Sequence, residues 1–388
     1  MITKISGANV ITDGKISPVN VYYEGGKITA VTTADLPYDT LIDATGKYLS
    51  SGFIDIHTHG AGGSDFLDNT PEAFLNAARL HAIHGATAIV PTVTSSTTES
   101  MIGSIKTFEA LKGKEHDGAI LLGLHMEGPY FSMNQKGAQD PKYIRPFTPE
   151  EYENILSMTD SVLRWTGAPE LDGAEEFGKF LTSKNILPCI GHSDADSSVT
   201  REAFSNGFTH VTHLYSCTSI VHRKNAYRYA GIVEAAYLLD DMTVEIIADG
   251  KHLPADLLKL IYKIKGKDHI ALITDSMRGA GMPDGESILG GLKEGMKVII
   301  EDGIAKLPDR TAFAGSVALC DRLIRTMINL AEIPLEDAVV MASRTPARIL
   351  NIKNKGDILP GFDADMIIFD KDINIETTII GGKTVYNI

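Results

Sequence analysis

The stretch GFIDIHTHG, residues 52–60, decides the fold class. It is a short apolar run that ends in His57 and His59, one residue apart, directly before a glycine. In an extended strand, residues i and i+2 point to the same side, so both imidazoles can face one point. That geometry suits a metal ion. We therefore expect a buried strand whose end carries metal ligands, and we expect the rest of the chain to supply further ligands.

Further segments of the same kind follow along the chain. Short apolar runs bounded by glycine or polar turns alternate with helical patterns, which predicts βα units and a parallel sheet. The eight predicted strands are GFIDIHTHG, GATAIVPTVTS, GAILLGLHMEGPY, SVLRWTGAPE, NILPCIGHSDA, GFTHVTHLYS, MTVEIIADGKH and DHIALITDS. Eight successive βα units predict an α/β fold, a (β/α)8 TIM-type barrel with its active site at the C-terminal ends of the strands.

Both ends of the chain have a different pattern. Residues 1–50 and 346–388 consist of short β segments separated by turn signals such as DG and GG. We expect these two ends to form one small β domain, with the barrel occupying residues 51–345. A further β excursion is predicted after the eighth strand, within residues 290–316.

Composition excludes several classes of partner. The 388 residues carry a formal net charge of -14, and the pI is near 5.3. The sequence contains no basic stripe, which argues against nucleic acid and anionic lipid as partners. The N-terminus lacks the long apolar run of a signal peptide or membrane span. The three cysteines are few and unpatterned, which favours a cytoplasmic location and buried thiols, with a thiol ligand as the alternative.

Histidines and acidic residues gather at the predicted C-terminal strand ends. These residues are His57, His59, Glu127, His192, His213, His252 and Asp275. Each has an ordinary explanation on its own, as a loop histidine, an ion-pair partner or a helix cap. Independent residues have no reason to gather at one mouth of one barrel, however, and neutral imidazoles with carboxylates are usual ligands of divalent metals. The pattern therefore predicts a metal site. The remaining histidines, such as His81 on the first predicted helix, are interpreted as structural or exposed.

Specific motifs then resemble a known family over nearly the whole chain. The motifs are GFIDIHTHG, PTVTSS at 91–96, GLHMEGPY at 123–130, KGAQDP at 136–141, GHSDA at 191–195, HVTHLYS at 210–216, IIADGKH at 246–252, TDSMRGAG at 274–281 and FAGS at 313–316. Together they resemble the amidohydrolase superfamily and, within it, the N-acetylglucosamine-6-phosphate deacetylases. The His-x-His motif alone would indicate only the superfamily, whereas HMEGPY with GHSDA and TDSM is far more specific.

The resemblance implies a barrel with a small β-sandwich made of both termini. It implies hydrolysis of an acetamido group on a sugar 6-phosphate, which releases acetate and the amino sugar. It also implies one or two divalent metal ions, such as zinc, iron or manganese. By the same resemblance, the main ion is held by Glu127, His192 and His213. A second site, which some members keep and others lack, is supplied by His57, His59 and Asp275.

Further site residues follow from the resemblance. Asp275 is the expected catalytic residue, which takes a proton from water and hands it to the leaving amine. Gln139 stands where other members carry a substrate-contacting histidine, and His252 resembles a histidine that contacts the sugar. The expected substrate-binding residues, taken together, are Ala138, Gln139, Ser216, Cys217, Arg223 and His252.

The phosphate requires cations, and Arg223 is the first candidate. Arg228 lies close enough in sequence to replace it. In the family this arginine can come from a neighbouring subunit, so a homodimer is expected.

The chain departs from the family pattern next to the phosphate candidates. Ser216, Cys217 and Thr218 replace the usual Asn-Ala-Met, and KNAYRYAG follows Arg223 in place of Glu-Pro-Gly. The gluco and galacto epimers of the sugar therefore both stay open.

Three other functions compete. A dihydroorotase-like cyclic-amide hydrolase typically carries a carboxylated lysine at the end of its fourth strand, and SVLRWTGAPE contains no lysine. A deaminase would usually place a glutamate a few residues beyond a later histidine, and GHSDADSS offers none. A non-catalytic barrel tends to lose its ligands, whereas this chain retains all the expected ones.

Overall fold

The chain begins with seven short strands separated by turns. The computed structural model describes residues 1–388. The strands are β1 Thr3–Ser6, β2 Asn9–Thr12, β3 Lys15–Ser17, β4 Asn20–Glu24, β5 Lys27–Thr32, β6 Thr40–Asp43 and β7 Tyr48–Ser51. Four of them form a sheet in the order β5-β4-β1-β6, and β2, β3 and β7 join a second sheet.

The middle of the chain alternates strands and helices as the sequence predicts. The strands are β8 Phe53–Thr58, β9 Gly60–Ala61, β10 Ser64–Asp65, β11 Ala86–Thr94, β12 Ile120–Leu121, β13 Leu124–Glu127, β14 Val162–Gly167, β15 Leu187–Ile190, β16 His210–Val211, β17 His222–Lys224, β18 Tyr227–Tyr229, β19 Thr243–Ile247 and β20 Ile270–Ile273. The helices are α1 Pro71–Ile83, α2 Thr98–Leu111, α3 Pro149–Ser157, α4 Ala174–Ser183, α5 Ser197–Ser205, α6 Ile232–Leu238 and α7 Ala255–Lys265.

Eight of these strands form a parallel barrel. Their order is β8-β11-β13-β14-β15-β16-β19-β20, and every pairing between neighbours is parallel. The ring nearly closes between the last strand and the first, where the backbone N–H of Asp275 donates to the carbonyl of His57 over 2.9 Å and Thr58 pairs with Ser276. All eight predicted strands are present, so the predicted TIM-type barrel is confirmed.

Burial on both faces of the strands explains why their sequences are nearly continuous apolar runs. The outer face packs against the helices through a large apolar cluster that includes Trp165 and Phe177. A smaller apolar cluster joins aliphatic side chains of several barrel strands, such as Ile56, Val90 and Ile273.

The chain leaves the barrel and returns to the first sheets. The remaining elements are β21 Gly285–Leu289, β22 Met296–Glu301, β23 Ile304–Lys306, α8 Cys320–Asn329, α9 Leu335–Ala342, α10 Arg344–Ile349, β24 Met366–Phe369, β25 Ile375–Ile380 and β26 Lys383–Asn387. The three strands β21–β23 form a small antiparallel sheet. The strands β22 and β23 lie within the predicted β excursion, and β21 precedes it.

The last strands complete the second terminal sheet, in the order β26-β25-β24-β7-β2-β3. Both terminal sheets contribute to one apolar cluster, with Ile5 and Val21 from the first sheet and Leu49 and Met366 from the second. The two ends of the chain therefore pack together. The proposed domain boundaries at 50 and 346 stay a prediction, and α10 lies across the second of them.

None of the helices combines the length and the apolar character needed to cross a membrane. The three cysteines are all free, and Cys189 and Cys320 are buried.

Candidate metal centre

Two groups of three buried side chains lie at the C-terminal mouth of the barrel. The first group is Glu127, His192 and His213, and the second is His57, His59 and Asp275. Within each group the potential ligand atoms lie within 4.8 Å of one another. The structure thus brings together the six residues that the sequence places at the ends of five strands.

Glu127 is the centre of the first group. Its Oε1 lies 3.3 Å from Nε2 of His192 and 3.1 Å from Nε2 of His213. The same oxygen lies 3.5 Å from Nε2 of His57, and Oε2 lies 3.3 Å from Nε2 of His59. One carboxylate therefore faces the imidazoles of both groups, so the two groups form one continuous centre.

Asp275 closes the second group from the end of β20. Its Oδ1 lies 3.1 Å from Nε2 of His59 and 3.5 Å from Nε2 of His57. Asp275, His192 and His213 have positive φ angles of 45°, 50° and 32°. Such angles are uncommon for residues other than glycine and are found at functional sites, where the surrounding structure holds the backbone in place.

The outer nitrogens of His192 and His213 are already bonded. Nδ1 of His192 lies 2.8 Å from the carbonyl oxygen of Gln135, and Nδ1 of His213 lies 3.0 Å from that of Ser216. A carbonyl oxygen only accepts, so each Nδ1 carries the proton and each Nε2 lone pair faces Glu127. Nε2 of His57 is buried without a hydrogen-bond partner. Imidazole lone pairs that face a carboxylate are stabilised by a cation between them. The donor set therefore fits a divalent metal.

The pKa values of the two carboxylates are lowered by the imidazoles around them. Burial would raise the pKa of Glu127, but His57 and the two imidazoles of its own group outweigh burial and hold the pKa well below its ordinary value. Burial likewise opposes ionisation of Asp275, yet His57 and His59 lower the pKa of its carboxyl. Both carboxylates are therefore charged at neutral pH.

The imidazole of His57 shows the opposite shift. Burial would lower its pKa, but Glu245 and two further carboxylates raise it to about 10. The centre thus attracts positive charge, which either protons or a metal ion can provide.

A small cavity of about 70 Å³ opens directly above these groups. Its lining consists of His59, Thr94, Glu127, Ala138, Gln139, His192, His213, Ser216, Cys217, Ile247, His252, Asp275, Leu289, Phe313 and Gly315. Five of the six expected substrate-binding residues are among them. Such a concave site with a few converging polar groups is the usual form of a small-molecule site.

Comparison with known proteins agrees with this architecture. The model of the amidohydrolase family matches residues 48–385. The chain belongs to the amidohydrolase family. It is 32% identical over 383 residues to an N-acetylglucosamine-6-phosphate deacetylase of Lysinibacillus sphaericus, covering 96% of this chain and 95% of the relative. It is also 30% identical over 339 residues to an N-acetylgalactosamine-6-phosphate deacetylase of Escherichia coli O157:H7, covering 87% of each.

Solved structures agree over the full length of the chain. The N-acetylglucosamine-6-phosphate deacetylase of Pasteurella multocida superposes with a TM-score of 0.92 at 26% identity, covering 100% of both chains. A point mutant of the Mycobacterium smegmatis enzyme, in complex with N-acetyl-D-glucosamine-6-phosphate, gives a TM-score of 0.90 at 26% identity, covering 100% of this chain and 99% of that one.

Two predicted sugar-contacting residues of this amidohydrolase are held in place by neighbours. The hydroxyl of Thr94 donates to Oε1 of Gln139 over 2.8 Å, and Nε2 of Gln139 donates to Glu127 over 3.1 Å. Nδ1 of His252 lies 2.9 Å from Oδ2 of Asp249. Gln139 is thus fixed beside the metal ligands, and the free Nε2 of His252 is left available for a ligand.

Arg223 lies elsewhere in the single chain. It is exposed on the antiparallel pair β17–β18, where it stands directly opposite Arg228. Neither arginine lines the cavity. The structure therefore leaves the phosphate-binding role of Arg223 a prediction, and it makes Arg223 and Arg228 neighbours on one hairpin.

Sequence reasoning missed a buried polar layer beneath the metal ligands. Glu245, Arg164 and His125 are all fully buried inside the barrel. They occupy the middle of strands rather than their C-terminal ends, so a search restricted to strand ends does not find them. A charged residue within an otherwise apolar strand was the available signal, because buried charges are rare unless they are paired.

Proposed function

We propose that this protein removes the acetyl group from N-acetylglucosamine 6-phosphate, giving glucosamine 6-phosphate and acetate. The observation that carries this function is the double ligand centre around Glu127, with Asp275 at one end and a cavity above it. The similarity to enzymes named for this reaction extends over almost the entire chain.

The proposed ligands of the main ion are Glu127, His192 and His213. Those of a second ion are His57, His59 and Asp275. When bound, a divalent cation such as zinc, iron or manganese supplies a Lewis acid that polarises a carbonyl and makes water more acidic. The identity of the metal and the occupancy of the second site are proposals.

Asp275 is the proposed general base and acid. Its carboxyl is ionised, because the nearby imidazoles lower its pKa, and it borders the cavity. It accepts a proton as a water oxygen bonds to the acetyl carbon. It returns that proton to the nitrogen as the C–N bond breaks, so acetate and a free amine leave.

Gln139 is proposed to donate from its amide to the acetyl oxygen or to a sugar hydroxyl. Thr94 holds the amide oxygen, so the orientation of the NH2 group toward the centre is fixed before substrate arrives. His252, held by Asp249, is proposed to contact the sugar ring. Ala138, Ser216 and Cys217 complete the proposed sugar-binding wall.

The phosphate is proposed to bind the hairpin of β17 and β18. The cavity lining contains neither lysine nor arginine, so a phosphate held there needs cations from another segment. Arg223 and Arg228 lie side by side on that hairpin and are exposed. A homodimer that brings the hairpin of one subunit to the cavity of the other would meet this need. The cytoplasmic location expected from the sequence also stays a prediction.

One alternative substrate has a specific observation in its favour. A relative of 30% identity is named for the galacto epimer, and Ser216 and Cys217 line the cavity where the sequence departs from the family pattern. Deacetylation of N-acetylgalactosamine 6-phosphate is therefore the second candidate. A cyclic-amide hydrolase has less support, since Arg164 occupies the fourth strand and is engaged by Glu245.

A panel assay for acetate release tests the assignment. The substrates are N-acetylglucosamine 6-phosphate, its galacto epimer, both unphosphorylated sugars and dihydroorotate. We expect the highest kcat/KM for the gluco phosphate. Preference for the galacto phosphate would select the alternative, and turnover of dihydroorotate alone would reject both.

A further inference from the structure

A buried carboxylate beneath the metal centre contacts both ligand groups. Glu245, on β19, is fully buried, and each of its oxygens has two partners. Oε1 lies 2.6 Å from Nδ1 of His57 and accepts from the backbone N–H of His213 over 3.2 Å. Oε2 accepts from Arg164 and lies 3.1 Å from Nε2 of His210.

The contact with His57 determines which nitrogen faces the metal. A carboxylate at 2.6 Å from Nδ1 keeps the proton on that nitrogen, so Nε2 presents its lone pair to the centre. Nε2 of His57 lies 3.5 Å from both Glu127 and Asp275, one carboxylate from each group.

The contact with His213 acts on the other group. His213 has a φ of 32°, and its backbone N–H is held by the same oxygen of Glu245 that holds His57. The position of this one oxygen therefore affects one ligand of each group.

Arg164 makes a charge at this position tolerable. It is fully buried on β14, pairs with Oε2 of Glu245, and donates to Thr212 over 3.1 Å and to the carbonyl of Ile56 over 3.3 Å. An unpaired carboxylate in the barrel interior would be strongly unfavourable, whereas a paired and fully hydrogen-bonded one is stable and fixed in position.

We propose that Glu245 is a positioning residue that couples the two metal sites, by holding the His57 ring of one group and the His213 backbone of the other. This inference rests on the metal ligation in the proposed function and is independent of the identity of the sugar. Outer partners of metal ligands typically change metal affinity by about 10- to 100-fold. Because Glu245 contacts a ligand of each group, its replacement should change the metal affinity of both sites.

The test compares metal binding by the wild-type protein, Glu245→Gln and Glu245→Asp. The glutamine keeps the size of the side chain but removes the charge that faces Arg164. The aspartate keeps the charge but withdraws the carboxylate by one methylene. Asp321→Asn is the matched control, because Asp321 is a buried carboxylate paired with His84 and Arg325 outside the cavity.

Metal-stripped proteins are titrated with Co²⁺, with dissociation constants taken from equilibrium dialysis and the site geometry from the visible absorption spectrum. We expect both binding steps to weaken by at least about 10-fold in Glu245→Gln, with altered cobalt bands and an unchanged far-UV circular dichroism spectrum. Asp321→Asn should bind as the wild type does.

Weakening of only one step would contradict the coupling, and unchanged constants would contradict the positioning role. If Glu245→Gln does not fold, the same two criteria apply to Glu245→Asp, in which the pair with Arg164 is kept. Failure of the wild-type protein to bind any Co²⁺ would instead refute the proposed metal ligation itself.

Discussion

Replacement of Asp275 by asparagine tests the proposed chemistry directly. The change keeps the shape of the side chain but removes the charge that accepts a proton. Oδ1 of Asp275 is 3.1 Å from Nε2 of His59 and 3.5 Å from Nε2 of His57. The backbone of Gly315 packs against Asp275, and a Cβ added to this glycine would lie 2.9 Å from the Asp275 carbonyl oxygen. The backbone around Asp275 therefore has little space to rearrange.

The expected loss follows from the role. General acid–base catalysis contributes about 10²- to 10⁴-fold, so Asp275→Asn should lower kcat by that factor, or about 3 to 5 kcal/mol of transition-state stabilisation. The main ligand group does not include Asp275, so the ion held by Glu127, His192 and His213 should remain. Only the second ion, if present in the wild type, should be lost.

The assay measures acetate release at saturating substrate together with metal content per chain by mass spectrometry. Asp321→Asn again serves as a control for the loss of a buried carboxylate. A kcat within about fivefold of the wild-type value would refute the assignment of Asp275. Loss of all metal from the variant would instead attribute the slow rate to ligation rather than to proton transfer.

Further expected outcomes concern metal, backbone and phosphate. Prolonged chelation should abolish activity and zinc, iron or manganese should restore it; full activity in metal-stripped protein would contradict the metal dependence. Metal affinity should fall as the pH is lowered from 8 to 6, because the pKa of His57 is raised to about 10 and a proton therefore competes with the cation throughout this range. The dissociation constant should rise about tenfold per pH unit for each proton released on binding. Equal dissociation constants at the two pH values would count against this. Gly315→Ala should lower kcat while the main ion is retained, because Gly315 has a φ of 66° and the added Cβ would press on the Asp275 backbone; a normal rate would show that this contact is unimportant. Arg223→Ala should raise KM for the phosphorylated sugar by about 10- to 100-fold with little effect on the free sugar, and a stronger effect of Arg228→Ala would transfer the role to its neighbour.

The barrel was predictable because its signals are local. Each buried strand is an apolar run between turn residues, and eight such runs alternating with helical patterns allow few other folds. Strand ends in a parallel barrel meet at one rim whatever the details of packing. For that reason the sequence also placed Glu127, His192, His213 and Asp275 near one another.

Contacts that depend on side-chain packing were not predictable in the same way. Gln139 lies on a loop, and nothing in KGAQDP indicates that its amide would bond to Glu127. Arg223 is expected to bind phosphate, and only the structure shows that the hairpin carries it to the exposed surface, away from the cavity of its own chain. Loop direction depends on long-range contacts, which local sequence does not encode.

The sequence by itself determined the fold class and the ring of candidate metal ligands, since these follow from periodicity and from residue types at strand ends. Its motifs indicated the family by resemblance. Only the tertiary structure decided which nitrogen of His57, His192 and His213 faces the centre, and it revealed Glu245 and Arg164 as the buried pair beneath it. The physical reason is that a strand pattern fixes which face a side chain occupies, whereas the partner it meets across the barrel depends on the register of strands that are far apart in the chain.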